Sequence, residues 1–158
     1  MAYSIFQKQS TLRPSAMATV AERRFDDAEA LSKTGQNARA NCVAYLIGFV
    51  VEILLKAQLV RKFPDIAKKP QHRVADSERE VWRLIWKAHD LDGMLLQMVE
   101  LEGALKVRGT RDGKDYLENL KKICATWTIQ SRYSTHTIQM PEASRLLDMV
   151  RSLKEVLK

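Results

Sequence analysis

Apolar residues recur every three to four positions along most of this chain, which is the spacing of one helix face. The clearest case is the segment 37–62. One of its apolar stripes is formed by Val43, Leu46, Ile47, Val50, Leu54 and Ala57. A second stripe lies almost opposite and contains Tyr45, Phe49, Glu52 and Lys56. A helix with two apolar faces has to be covered on both, so the pattern predicts a central helix that stops before Pro64.

The same periodicity predicts helices on both sides of the central one. They span about 15–31, from Ser77 to a break at His89–Asp90, 91–101 (ending by Gly103), 113–127 and 141–157. Ser15 is the expected N-cap of the first, Ser77 with Glu80 the expected capping box of the third, and Asp112 the cap of the helix over 113–127. The basic 61–76 connection is predicted to be an exposed loop. Within the central helix, Gly48 predicts close approach of another helix or a ring.

The length of 158 residues is typical of one domain. Residues 1–14 are predicted to form a flexible N-terminal arm and residues 15–158 a single helical domain. The chain has only 6 Gly and 4 Pro, too few for a fold of many short strands and tight turns. The sequence therefore predicts an all-α bundle of about five main helices, with the 37–62 helix at its centre.

The chain is basic, with 26 Lys and Arg against 19 Asp and Glu and a formal net charge of +7. The segments 61–79 and 106–122 each carry six basic residues against three acidic ones. Such an excess favours a polyanionic partner, RNA or DNA, although it also fits a surface that only confers solubility. Binding that weakens steeply with added salt would distinguish the two.

The segment 42–60 is nearly long enough to cross a membrane, but Glu52 and Lys56 lie near its middle, where each would be costly in lipid. A buried core helix is the better interpretation, so no membrane association is expected. No secretory signal is visible, and a cytoplasmic location is the default expectation.

Little in the sequence indicates a cofactor. Cys42 and Cys124 lack the paired spacing of a zinc site or a disulfide framework, and core packing is predicted for both. The three histidines, His72, His89 and His136, are not spaced like metal ligands. Phosphate-loop, dinucleotide-binding and nucleophile-elbow motifs are absent. Neither a metal nor another cofactor is expected.

Four pieces of the sequence together resemble the HEPN domain family. They are Arg-Phe-Asp-Asp-Ala-Glu-Ala-Leu (24–31), Ala-Tyr-Leu-Ile-Gly-Phe-Val-Val-Glu-Ile-Leu-Leu-Lys-Ala (44–57), His-Asp-Leu (89–91), and Trp127 followed by Arg132-Tyr133. Their order and spacing cover about 110 of the 158 residues, and the second piece is the most specific. The resemblance implies an up-and-down helical bundle, usually dimeric, from a prokaryotic toxin–antitoxin or defence system, often found beside a minimal nucleotidyltransferase.

Many HEPN proteins are metal-independent ribonucleases with an Arg-x(4–6)-His motif. Arg83 and His89 satisfy this spacing, but Leu84 follows Arg83 where active relatives usually have a polar residue. Arg132 and His136 are too close together. In an active enzyme, His89 would be the general acid or base and Arg83 would stabilise the pentacoordinate phosphate. In the alternative, Arg83 is a solvated helix residue and His89 caps the next helix.

Several polar residues occupy positions where apolar ones are expected. Glu52 and Lys56 lie on a stripe of the central helix, and Arg24 falls on the inward face of the first helix. We predict that Glu52 is buried and bonded to Arg24 or Arg132, with Tyr133 and His89 nearby, because an unpaired buried ion costs several kcal/mol. This cluster is either a polar staple that fixes helix packing or a pocket where Lys56, His89 and Arg132 receive a phosphate or nucleotide.

Three classes of function stay open. The first is a non-catalytic module that binds a nucleotide, RNA or a partner protein, as the imperfect nuclease motif indicates. The second is a metal-independent ribonuclease. The third is a purely structural dimer. A homodimer is expected in any case from the resemblance. The residues give it weak support, because the tryptophan-rich segment 81–86 and the Met-rich segment 94–98 could overfill the core of one bundle.

Overall fold

The computed structural model describes residues 13–127 and 137–158, and in these two ranges all regular structure is helical. The predicted all-α class is therefore confirmed. The described ranges contain eight α-helices rather than about five. They are α1 (Pro14–Ser32), α2 (Ala40–Lys62), α3 (Pro64–Lys68), α4 (Arg79–Trp86), α5 (Leu91–Leu96), α6 (Val99–Asp112), α7 (Tyr116–Thr126) and α8 (Met140–Leu157).

The central helix predicted from the two apolar stripes is α2. It packs most extensively on α1 and α8, and it also contacts α3, α4 and α5. Buried residues occur on all sides of its second half, since each residue from Val50 to Leu55 is buried. By length and composition, the segment Asn37–Lys62 is apolar enough to cross a membrane, but 67% of its most apolar stretch is buried among the other helices. It is the core helix of the bundle.

Gly48 allows the close approach that the sequence predicts. The indole ring of Trp127, at the end of α7, lies directly over it, and a Cβ atom at position 48 would come within 1.8 Å of a ring carbon. The indole Nε1 donates a hydrogen bond to the carbonyl oxygen of Tyr45, at 3.1 Å. A glycine in mid-helix thus lets α2 receive a whole aromatic ring against its backbone.

The segment 61–76 is not simply the exposed loop that we predict from its prolines and charges. It contains α3, which begins at Pro64, where the missing N–H of proline is tolerated. The indoles of α4 hold its backbone, since Trp82 donates to the carbonyl of Lys69 at 2.9 Å and Trp86 to that of Ala67 at 3.3 Å.

Capping also differs from the prediction before α4. Ser77 lies inside a single 3₁₀ turn, Asp76–Glu78, that precedes the helix. Glu78, not Glu80, reaches back and accepts a hydrogen bond from the backbone N–H of Ala75, at 3.2 Å. The reciprocal role of Glu80 is lost because its carboxylate is bonded to Arg83 instead.

The predicted helix over 91–101 is wrong, because it is split between α5 and α6. The chain turns at Gln97–Met98, and α6 then runs through Gly103 to Asp112. Gly113, with a φ of 64°, ends α6 in the left-handed conformation that suits glycine. Asp112 is therefore the last residue of α6 and not the cap of α7, although its carboxylate still accepts a hydrogen bond from the Tyr116 hydroxyl at 3.1 Å.

The two cysteines have different environments, so the predicted core role holds for one of them only. Cys124 on α7 is buried, and burial together with the negative charge of Asp92 and Asp90 raises the pKa of its thiol to about 12. Cys42 lies on an outward position of α2 and is exposed. The apolar residues around Cys42 in sequence belong to other faces of the same helix.

The tryptophan-rich segment 81–86 and the Met-rich segment 94–98 are largely but not completely buried in the core of one chain. Trp82, Met94 and Met98 are buried within the single chain, whereas Trp86 is 38% and Leu96 72% exposed. The α3 segment supplies the extra covering surface, through the two indole hydrogen bonds described above. The homodimer that these segments weakly support therefore stays a prediction.

Candidate functional site

A buried carboxylate lies near the middle of the bundle. Glu52 on α2 is 2% exposed, and it is the one charged residue that is fully buried in the described parts of the chain. Its Oε1 accepts a hydrogen bond from the Lys56 ammonium at 2.8 Å. The imidazole Nδ1 of His89 lies 2.9 Å from Oε1 and 3.0 Å from Oε2. These three residues are called the Glu52 cluster below.

Two short-range features of the sequence place these side chains together. Glu52 and Lys56 are four residues apart, so they lie one turn from each other on the same side of α2. His89 lies in the tight connection between α4 and α5. Asp90 next to it is the N-cap of α5, since its carboxylate accepts a hydrogen bond from the Gly93 N–H at 2.8 Å. The cap is thus Asp90 rather than His89, which leaves the imidazole to turn toward α2.

The burial of Glu52 depends on its two partners. Taking a carboxylate out of water costs several kcal/mol unless a cation and further hydrogen bonds compensate for it. Lys56 is 14% exposed and provides the charge, and His89 provides a second donor. Because a carboxylate only accepts hydrogen bonds, Nδ1 of His89 must carry a proton. Glu52 is therefore buried, as predicted, and its partners within the described part of the chain are Lys56 and His89 rather than Arg24.

His89 is oriented in a way that leaves its other nitrogen available. Its side chain is 41% exposed, although Nδ1 faces a buried group. Within residues 13–127 and 137–158, its hydrogen bonds run through Nδ1 alone. Nε2, on the opposite edge of the ring, is thus positioned to meet a solute. A carboxylate that fixes the tautomer and angle of a half-exposed imidazole is an arrangement suited to binding an anion or to transferring a proton.

Arg24 does not belong to the Glu52 cluster, which corrects our prediction. Its side chain is 47% exposed and bonded to Asp27 at 2.7 Å. The buried face of α1 is formed by Met17, Ala21, Phe25 and Ala28. Val20 is apolar but exposed. When Val20 is counted as a core residue, the inward face predicted for α1 shifts toward Arg24.

The other predicted partners of Glu52, Arg132 and Tyr133, lie outside the described residues, as does His136.

Both residues of the predicted nuclease pair, Arg83 and His89, lie in the described part of the chain. Arg83 makes two hydrogen bonds to Glu80, at 2.9 and 2.7 Å, and these bonds raise the pKa of its guanidinium. It also lies 3.8 Å from the Asp90 carboxylate. Arg83 and His89 thus lie at the same end of α4, but each is bonded to a different carboxylate.

One feature that the sequence did not predict is a pocket of about 310 Å³ between α2, α7 and α8. Apolar groups make up most of its wall, among them Gly48, Ile123, Trp127 and Leu146. The side-chain oxygen of Asn41 accepts a hydrogen bond from the backbone N–H of Ile138 beside it, at 3.0 Å. The unusual Gly48 is the only sequence signal that points toward this part of the molecule.

The fold and the cluster define an all-α protein with a half-exposed histidine fixed by a buried glutamate–lysine pair. Over the described ranges, no group of three or more His, Cys, Asp or Glu side chains is arranged to hold a metal ion. Comparisons of the chain with protein-family models, curated proteins and solved structures gave no match. The resemblance to the HEPN family therefore stays a prediction from the sequence.

Proposed function

We propose that this chain is a HEPN-like module of a prokaryotic toxin–antitoxin or defence system that binds RNA or a nucleotide without cutting it. The observation that carries the proposal is the His89 imidazole, half exposed and held through Nδ1 by the buried Glu52 carboxylate. The binding surface would include the Nε2 edge of His89. The protein would act in the cytoplasm. A nucleotidyltransferase partner follows from the resemblance alone.

Charge supports a phosphate as the group bound at His89. When His89 is protonated, its charge and that of Lys56 exceed the charge of Glu52 by one. Nε2–H then offers a charge-assisted hydrogen bond to a phosphate oxygen. The net charge of +7 would also attract a polyanion from a distance.

The hydrogen bonds of Arg83 support binding over cleavage. A ribonuclease needs a cation to stabilise the charge that develops on the phosphate in the transition state. Arg83 directs Nε and Nη2 at Glu80, which neutralises its charge and occupies the two donors best suited to a bidentate phosphate contact. Arg83 and His89 thus have the spacing of the nuclease motif, but the guanidinium of Arg83 is bonded to Glu80.

An RNA titration with a histidine control tests the proposal. Fluorescent RNA is titrated with the protein in chelator, and the salt dependence is measured. His89→Ala should weaken binding at least about tenfold. His72→Ala removes a histidine that is exposed in the 3₁₀ turn Gln71–Arg73, and it should leave binding unchanged. Equal effects of the two substitutions, or no binding by the unaltered protein, would contradict the proposal. Circular dichroism confirms that both variants fold.

Metal-independent cleavage of RNA is the second candidate, and the Glu52–His89 hydrogen bond is the observation that favours it. A buried carboxylate on Nδ1 leaves Nε2 to move a proton to or from the 2′-hydroxyl. Substrate would have to draw Arg83 away from Glu80, and the exposure of that pair makes this inexpensive. RNA that is shortened in chelator by the unaltered protein, and left intact by His89→Ala and Arg83→Ala, would establish cleavage and displace the binding-only proposal.

A further inference from the structure

The pocket between α2, α7 and α8 is apolar at its floor and polar at its mouth. Buried side chains form the floor, among them Ile47, Ile123 and the indole ring of Trp127. Thr126 and Glu142 lie at the mouth, since both residues line the pocket and are exposed. A ligand that suits this space has an apolar body and a polar group at one end.

Hydrogen bonds hold the walls of the pocket in place. On one side, the Asn41 side chain accepts a hydrogen bond from the Ile138 N–H at 3.0 Å. Asn37, one turn earlier, accepts one from the Met140 N–H at 2.8 Å, so the start of α8 is tied to α2 at two points. On the other side, the indole is held against α2 by its hydrogen bond to the Tyr45 carbonyl. A pocket with fixed walls binds a ligand at a lower entropic cost than one that has to form.

The volume of the pocket, about 310 Å³, sets the size of the ligand. A water molecule occupies about 30 Å³ in the liquid, so the pocket holds a molecule of about ten non-hydrogen atoms. A single aromatic ring with a short side chain has this size. A nucleotide, which contains a base, a sugar and a phosphate, is too large to enter.

The charge at the mouth selects the polar group of the ligand. Glu142 is the one charged residue among the described residues that line the pocket, although the net charge of the chain is +7. Within residues 13–127 and 137–158, its carboxylate has no ion pair or hydrogen bond, and Arg145, one turn along α8, is not bonded to it. The mouth therefore presents an uncompensated negative charge.

The start of α8 has no backbone donor left for an anion. A helix N-terminus binds an anion through N–H groups that lack a partner. In α8 the Met140 N–H is already bonded, as described above, and Pro141 has no N–H. The N–H groups of Glu142 and Ala143 are both bonded to the Gln139 carbonyl, at 3.0 and 3.1 Å. The mouth thus favours a cationic donor over an anion.

We propose that this pocket binds a small primary amine with a single aromatic ring. The ring lies against Trp127 and Ile123, where an indole and an aliphatic side chain offer apolar contact. The ammonium group lies at the mouth and donates to the Glu142 carboxylate. This proposal goes beyond the proposed function and does not depend on it, because the Glu52 cluster does not line the pocket.

Calorimetric titration with 2-phenylethylamine and with phenylacetate is the first test. The two probes share the aromatic ring and differ in the sign of the charge. A ligand of about ten atoms is expected to bind with a dissociation constant between about 0.1 and 1 mM, and the amine should do so. Phenylacetate should bind at least about fivefold more weakly, because its charge has the same sign as that of Glu142. No binding of the amine, or equal affinity for both probes, would overturn the proposal.

Substitutions at the mouth and in the wall locate the bound amine. Glu142→Gln should weaken binding of 2-phenylethylamine about threefold to fivefold, whereas Glu155→Gln, at an exposed glutamate near the other end of α8, should not. Ala44→Phe puts a ring into the pocket from α2 and should abolish binding. Circular dichroism checks its fold, and Leu146→Phe fills the pocket from α8 if Ala44→Phe does not fold. Amine binding that is unchanged in Glu142→Gln, or intact in a folded variant with a filled pocket, would contradict the assignment.

Discussion

The middle of α2 and the outer face of α6 are built from the same kinds of residue but lie in opposite surroundings. Each has a glycine in the helix interior. Each also has a glutamate paired with a lysine: Glu52 with Lys56 at 2.8 Å, and Glu100 with Lys62 at 2.7 Å. On α2 the glycine is covered by an indole ring and the glutamate is 2% exposed. On α6 the glycine faces open space and the glutamate is 75% exposed.

The surroundings decide what such residues contribute to stability. Inside the bundle, water cannot screen or replace the partners of Glu52, so losing one of them leaves a charge uncompensated. On the surface, water substitutes for either partner of the Glu100–Lys62 pair. A glycine against a ring cannot accept a methyl group, whereas a glycine in open space can. Four substitutions test this difference.

Glu52→Gln should lower the free energy of unfolding by about 3 kcal/mol, because it leaves Lys56 without its counter-charge in a mostly buried position. Urea denaturation at neutral pH measures the loss. The matched control is Glu100→Gln, which should be nearly neutral. Adding Lys56→Met to Glu52→Gln should restore part of the lost stability, since it removes the charge left behind. Equal losses for Glu52→Gln and Glu100→Gln would show that the burial of Glu52 has no energetic consequence.

Gly48→Ala should destabilise the fold by about 2 kcal/mol. The added methyl would overlap the Trp127 ring, so the indole has to move and its hydrogen bond to the Tyr45 carbonyl is strained. The fluorescence of Trp127 should report the change along with thermal unfolding. Trp127→Ala combined with Gly48→Ala should cost no more than Trp127→Ala alone, because the two substitutions act on one contact.

Gly103→Ala should have the opposite sign and raise the free energy of unfolding by up to about 1 kcal/mol, since alanine favours the helix and nothing in the chain obstructs its methyl. Urea denaturation measures the gain. Destabilisation of the monomer would mean that Gly103 has a structural role within one chain.

The smallest effect is expected on the way stability depends on pH. The hydrogen bond from Lys62 lowers the pKa of Glu100, so this pair contributes stability above the pKa of the unfolded glutamate and loses it as the pH falls through the lower folded pKa. Glu100→Gln should therefore lower stability slightly at neutral pH and have no effect at low pH, where the carboxyl group of the unaltered protein is protonated. Stability curves of the two proteins that fail to converge at low pH would contradict this assignment.

Much of the fold could be predicted because α1, α2 and α8 have strong helical periodicity over many turns. The start of α4 and the division between α5 and α6 could not, since the competing glutamates and the turn at Gln97–Met98 leave only weak local signals. The candidate site was partly predictable. A carboxylate on an apolar stripe indicates burial, but it does not say which of several distant cations will reach it.

The sequence by itself determined the helical class, the central position of α2, the burial of Glu52 and the close approach at Gly48. Each of these follows from residues within a few turns of one another, whose spacing fixes which side of a helix they share. Only the tertiary structure decided that His89 rather than Arg24 bonds to Glu52, that Trp127 is the ring over Gly48, and that Gly103 faces open space. Those outcomes depend on how separate helices rotate and pack against each other, because a small rotation of α1 about its axis turns an apparently inward arginine out to water.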